Sequence, residues 1–203
     1  RDRQNTEGKM TLKKALQQIR PVSSETKKAA RLRWDQVAKP LNSLGILEED
    51  LVRIAGAQNS EAVCLDQKWI AVMCADNGIV EEGVTQTGQE VTAVVAANMA
   101  RGASCVCLMA AKAGAKVLPV DVGIASDMEG TGILNRKIRY GTRNFLKEPA
   151  MTREETVKAM ETGMEAAGIL KEKGCRLAGC GEMGIGNTTT SSAVLSVLSL
   201  IHI

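Results

Sequence analysis

From residue 68 onward, short continuous apolar runs alternate with longer helical patterns, and few folds accommodate that order. Trp69–Ala75 (WIAVMCA) and Lys116–Val122 (KVLPVDV) are apolar at nearly every position, as strands buried on both faces must be. Between them lies an Ala-rich helical stretch, Glu90–Ala113, broken or bent near Gly102. Thr152–Lys173 opens with Thr152 and Glu155, the T-x-x-E spacing of a capping box. Arg176–Cys180 reads as a third short strand and Thr188–Leu200 as the next helix. Strand, helix, strand, helix, strand, helix predicts an α/β fold with a parallel sheet and right-handed crossovers. In such sheets ligands sit beyond the carboxyl ends of the strands, so the loops after Ala75, Val122 and Cys180 are the candidate site.

Upstream the pattern differs. Leu12, Leu16 and Ile19 repeat at helical spacing before Pro21, as do Ala30, Trp34 and Val37 before Pro40, and then Leu47, Leu51 and Ile54. Residues 1–60 therefore read as part of a small helical domain, with residues 1–9 polar and frayed, and residues 61–203 as a parallel α/β nucleotide-binding domain. The chain starts at Arg1 and stops at Ile203 inside an apolar helical pattern, which is expected of a fragment lacking material at both ends.

Each of the three loops carries polar residues. The first, DNGIVEEGVTQTGQEVT, gathers Asp76, Asn77, Gly78, Glu81, Glu82, Thr85, Thr87 and Gln89, and is long for a connection of its type. The second, from Gly123 to Thr152, holds Arg136, Lys137, Arg139 and Arg143, a basic run that reads either as an anion site or as a solvated face. The third, GCGEMGIGNTTTSS, spells two phosphate signatures and completes neither. Gly179, Gly181 and Gly184 match a dinucleotide fingerprint whose ribose-binding acid would lie beyond the end of the chain. Gly181–Thr188 matches a P-loop with Asn187 where the phosphate-neutralising lysine belongs. What survives is a glycine turn leading into a helix start with Thr188, Thr189 and Thr190, suited to one phosphate monoester. Glu182, inside this loop, would be repelled by a phosphate; it reads as a proton acceptor, a partner for a cationic group or a helix N-terminal charge.

Composition removes several classes. A net charge of +3, with Lys and Arg scattered, does not mark a nucleic-acid binder, and 2% aromatics give no stacking platform. His202 is the sole histidine, which excludes a His-based metal site or a Ser-His-Asp triad. Cys64, Cys74, Cys105, Cys107, Cys175 and Cys180 form no C-x-x-C pair and read as buried reduced thiols of a cytoplasmic protein. No apolar run is read as approaching the roughly 20 residues of a membrane span.

GEMGIGNTTTSSA closely resembles the glycine-rich loop of the nicotinate-nucleotide–dimethylbenzimidazole phosphoribosyltransferase family. KPLNSLGILEE (39–49), MCADNGIVEEGV (73–84), QEVTAVVAANMARG (89–102), AGAKVLPVDVGI (113–124) and GTRNFLKEPAMT (141–152) resemble it in the same order, so the likeness runs from about Leu12 to Leu198. The resemblance implies a parallel, Rossmann-like sheet flanked by helices, a small helical subdomain, a homodimer, and no cofactor. It also implies the reaction: a benzimidazole-type base displaces nicotinate from C1′ of nicotinate mononucleotide to give α-ribazole 5′-phosphate. Carried over by position, Glu182 is a supporting catalytic residue. Asp76, Asn77, Gly78, Thr87, Gln89, Gly181, Met183, Gly184, Gly186, Asn187 and Thr188 are substrate-binding. The family's main catalytic glutamate falls beyond Ile203, so the chain alone need not be active. Three positions depart from the pattern: Thr87 replaces a serine of some members, Val95 replaces their glutamine, and Leu41-Asn42 replaces the usual glycine before Ser-Leu-Gly. The rival readings are a nucleotide-binding module for NAD or ATP and a non-catalytic binder that keeps the fold.

Overall fold

The computed structural model describes residues 10–199, so the segment 1–9 expected to fray, His202 and the other residues after Ser199 lie outside the described residues. Within that range the chain forms two compact units, Lys13–Asp66 in one and residues 10–12 with 67–199 in the other.

The smaller unit holds α2 (Ser24–Asp35), α3 (Ile46–Gln58) and most of α1 (Leu12–Gln18). Ser23 caps α2 through Thr26, and Ala30, Val52 and Ala55 bury a small core against Trp34 and Val63. The departure at Leu41-Asn42 has a local explanation. Asn42 sits at φ 57°, in the left-handed region where glycine is cheapest and asparagine is the best tolerated substitute. Glu48 is 1% exposed, accepts the Leu44 amide at 3.1 Å and pairs with Lys39 Nζ at 2.7 Å. That ammonium also lies 5.4 Å from the centre of the Trp34 ring.

The Lys39 bond, opposed by burial, holds the Glu48 carboxyl below the usual carboxylate range. A depressed carboxylate stabilises fully above its unfolded value of about 4.3 and loses that contribution as pH falls through its lower folded value. Glu48→Gln is therefore expected to lower Tm at neutral pH, with the gap to wild type closing below about pH 4; a pH-resolved melting series checks this.

The larger unit is α/β. β1 (Lys68–Ala75), β2 (Ala115–Gly123), β3 (Leu134–Asn135) and β4 (Leu177–Met183) form one parallel sheet in the order β3-β2-β1-β4. Between β1 and β2 the chain makes α4 (Glu90–Ala100) and α5 (Cys105–Lys112), separated by Gly102 at φ 74°. α6 (Arg153–Glu172) crosses to β4 and carries the predicted capping box, with Thr152 and Glu155 bonded reciprocally. α7 (Asn187–Ser199) follows β4. Val72, Cys74, Ala96, Met99, Ile124, Met128 and Ile133 form the core, and Val95 packs half-buried against it.

Several expectations need correcting. By length and composition Glu90–Lys112 does reach the apolarity of a membrane span, but it is two helices of 11 and 8 residues, too short singly to cross one. Of the cysteines only Cys74 is buried, while Cys105 and Cys180 are exposed; all six are free thiols. Burial, reinforced by the charge of Asp121, pushes the Cys74 thiol up to about 12, so it is inert. The strand predicted at Arg176–Cys180 runs from Leu177 to Met183, and this relocates Gly181, Glu182 and Met183 from loop to sheet.

Candidate active site at the carboxyl ends of the strands

Parallel pairing brings the ends of β1, β2 and β4 to one level, with Cys74 opposite Met183 and Ala75 opposite Gly123. β1 is central, and its loop laces the other two together. Asp76, 1% exposed, donates its amide to the Gly123 carbonyl at 3.0 Å, and its Oδ2 accepts the Ala125 amide at 2.7 Å. The Asp76 carbonyl accepts the Thr142 amide at 2.9 Å, and the Thr142 hydroxyl accepts the Gly78 amide at 3.0 Å. A Cβ on Gly78 would stand 2.5 Å from the Thr142 carbonyl oxygen, so glycine is what lets the second loop lie on the first. The Asp-Asn-Gly sequence thus divides its work: Asp76 and Gly78 hold the second loop and Asn77 the third.

The third loop proper is Gly184–Gly186. A Cβ on Gly184 would meet the Ala75 carbonyl oxygen at 1.9 Å, and Gly186 turns the chain at φ 86° into α7. Ile185 donates its amide to the Thr92 hydroxyl at 3.0 Å, and its carbonyl accepts from Asn77 Nδ2 at 3.1 Å. The Thr190 hydroxyl donates to Asn77 Oδ1 at 3.0 Å, and Gln89 Nε2 donates to the Asn77 carbonyl at 2.9 Å. In the first turn of α7 the Asn187 and Thr190 amides donate to the Gly184 and Gly186 carbonyls, while those of Thr188 and Thr189 precede the intrahelical ladder and suit an anion.

Gly179 and Gly181 pair with Ile70 and Val72 inside the sheet, so the first two glycines of the apparent dinucleotide fingerprint are strand residues and not part of the turn. Glu182, one residue from the end of β4, is exposed as a residue, yet its carboxyl is shielded enough that desolvation raises its pKa, against the opposing bond from Asn187. A carboxylate held above its ordinary range at a strand's carboxyl end is a competent proton acceptor nearer neutral pH.

Met183 is half-buried at the end of β4, and Thr87 is exposed, its carbonyl accepting from the Thr85 hydroxyl at 2.8 Å. The Thr188 hydroxyl lies 3.4 Å from Asn187 Oδ1. The basic run of the second loop is spent internally. Arg136 pairs with Glu165, Lys137 with Asp121, and Arg143 with Glu155; Arg139 reaches Glu155 at 3.7 Å. Sequence reasoning missed Thr92 and Thr142 altogether. The one available signal was a threonine at 92 within an Ala- and Val-rich helix, where a hydroxyl with 0% exposure needs a partner.

A family model described as phosphoribosyltransferase matches residues 19–203. The chain is similar to the nicotinate-nucleotide–dimethylbenzimidazole phosphoribosyltransferase of Ruminiclostridium cellulolyticum, at 49% identity over 93% of this chain and 54% of that protein. It is 46% identical to the enzyme of the same name from Clostridium tetani, over 94% of this chain and 52% of that one. Among solved structures, the nicotinate-nucleotide–dimethylbenzimidazole phosphoribosyltransferase of Thermus thermophilus superposes with a TM-score of 0.82 at 40% identity, covering 87% of this chain and 54% of that one. The chain spans about half the length of the curated relatives it matches.

Proposed function

The chain belongs to the nicotinate-nucleotide–dimethylbenzimidazole phosphoribosyltransferase family, and from that membership we propose that the full-length protein transfers the phosphoribosyl group of nicotinate mononucleotide to a benzimidazole-type base. The ring nitrogen of the base attacks C1′, and the bond from C1′ to the pyridinium nitrogen breaks with its electron pair returning to nicotinate. The azole N–H proton passes to a carboxylate, leaving α-ribazole 5′-phosphate. Because the leaving group already carries positive charge, the protein has mainly to orient two rings and accept one proton.

The observation that carries this reading is the Gly184–Gly186 turn running into the start of α7 at the carboxyl end of the sheet, without a P-loop lysine. Those donors suit the single 5′-phosphate of a mononucleotide. Glu182, with its raised pKa, supports the proton transfer. Gly78, Gly184 and Gly186 shape the cradle, Asn187 and Thr188 line it, and Thr87, Gln89 and Met183 flank it. Homodimeric assembly and a cytoplasmic setting belong to the same proposal.

Full-length protein supplied with nicotinate mononucleotide and dimethylbenzimidazole should release nicotinate; NAD or ATP should bind far more weakly. Glu182→Gln is expected to lower kcat at least about tenfold, less than the roughly hundredfold or more of a principal general base because its role is supporting. Since burial raises the Glu182 carboxyl, its protonation should add to the fall of wild-type activity on the acid side, and the variant should lose that share of the limb. Unchanged turnover in Glu182→Gln would remove the residue from the mechanism.

A further inference from the structure

We propose that Asn77 is a positioning residue for the glycine loop, acting through Ile185 and Thr190 and not by touching substrate. Asn77 is 9% exposed at the first turn after β1, and its carboxamide is committed on both sides. Nδ2 donates to the Ile185 carbonyl, 108 residues away, and Oδ1 accepts from the Thr190 hydroxyl, 113 residues away. The orientation is set by chemistry: a carbonyl accepts only, so Nδ2 must face Ile185 and Oδ1 must face the hydroxyl.

What Asn77 holds decides which way the loop's donors point. Ile185 is the middle residue of the turn, and both its backbone groups are spent inward, on Thr92 and on Asn77. Thr190 is on the first turn of α7, where its amide donates to the Gly186 carbonyl at 3.3 Å. One side chain therefore grips the turn and the helix that follows it. Fixing both orients the amides at Gly186, Thr188 and Thr189 before any anion arrives, and preorganised donors cost no reordering on binding. The space confirms how closely the parts sit: a Cβ on Gly184 would be 2.8 Å from Asn77 Nδ2, and one on Gly186 would be 3.4 Å from Asn77 Cβ. Gln89, bonded to the Asn77 carbonyl at 2.9 Å, holds the holder.

The kinetic part rests on the proposed phosphoribosyl transfer; the structural part does not, and the experiment keeps them apart. Amide hydrogen exchange over residues 184–190 in the full-length protein, without substrate, reads the loop directly. Asn77→Ala and Thr190→Val should each speed exchange there about tenfold while α6 exchange stays unchanged, and Thr190→Ser should restore the wild-type rate. With nicotinate mononucleotide as substrate, KM should rise about tenfold in Asn77→Ala while kcat changes less than about threefold. Unchanged loop exchange in both Asn77→Ala and Thr190→Val overturns the proposal whatever the activity. A higher KM with unchanged exchange also overturns it, because Asn77 would then be a substrate contact. If wild-type protein releases no nicotinate, the transferase reading falls and the exchange result alone decides the role of Asn77.

Discussion

Gly184→Ala is expected to remove nicotinate mononucleotide turnover almost entirely, by about a hundredfold or more in kcat/KM, and to cost about 1–3 kcal/mol in stability. The reason is one contact. The added methyl would lie 1.9 Å from the Ala75 carbonyl oxygen, a backbone atom at the end of the central strand, with the Ala75 carbonyl carbon at 3.2 Å behind it. A flexible side chain could swing aside, but β1 is paired on both edges and cannot. The loop must lift instead, which breaks the Ile185 bonds to Thr92 and Asn77 and tilts the start of α7. Gly168→Ala, within α6 where a Cβ meets nothing within 4 Å, provides the control: it should leave turnover alone and hold or raise stability, as expected for alanine in a helix. Urea unfolding with steady-state kinetics on the two full-length variants checks both halves. Wild-type kcat/KM in Gly184→Ala would mean that the loop does not hold the substrate phosphate.

How far the sequence led depends on how local each feature is. The Thr152–Glu155 capping box was legible because both partners lie within one helical turn. β1 and β2 were legible because strands covered on both faces are apolar at most positions. The end of β4 was not: Gly181 looks like a loop residue, since glycine is poor in strands, yet it pairs in register with Val72. β3 is only two residues long and carries no periodic signal. The clamp around Ile185 escaped for a different reason. Its members, Asn77, Thr92 and Thr190, meet only when the end of β1, α4 and the start of α7 pack, across about a hundred residues of chain. Family resemblance supplied the expected substrate, and the bonds of Asn77 to Ile185 and Thr190 are what the proposed positioning role rests on.

Asp121→Ala is expected to be the most destabilising single change considered, by about 3–5 kcal/mol, the range for breaking a buried charge pair. Asp121 is fully buried near the end of β2, opposite Cys74 on one side and Asn135 on the other. Its Oδ1 accepts the Gly123 amide at 3.0 Å and the Ile124 amide at 2.9 Å, the point where β2 turns into the second loop. Lys137 Nζ lies 3.0 Å from Oδ2, off-line for a hydrogen bond but close enough for an ion pair, and itself donates to the Ile124 and Ser126 carbonyls. The Tyr140 ring, 4.6 Å away, covers the same ammonium. Removing the carboxylate strands two buried amides and leaves the 10%-exposed Lys137 without its counter-ion. Asp121→Asn separates these costs, because it keeps an acceptor for the amides while losing the charge, so it should lose less than Asp121→Ala. Adding Lys137→Met should then recover part of the Asn variant's loss, since the unpaired cation goes with it. If Lys137→Met made Asp121→Asn worse by the full cost of the single change, the two would be energetically independent, and the stability at this corner would belong to the backbone hydrogen bonds alone.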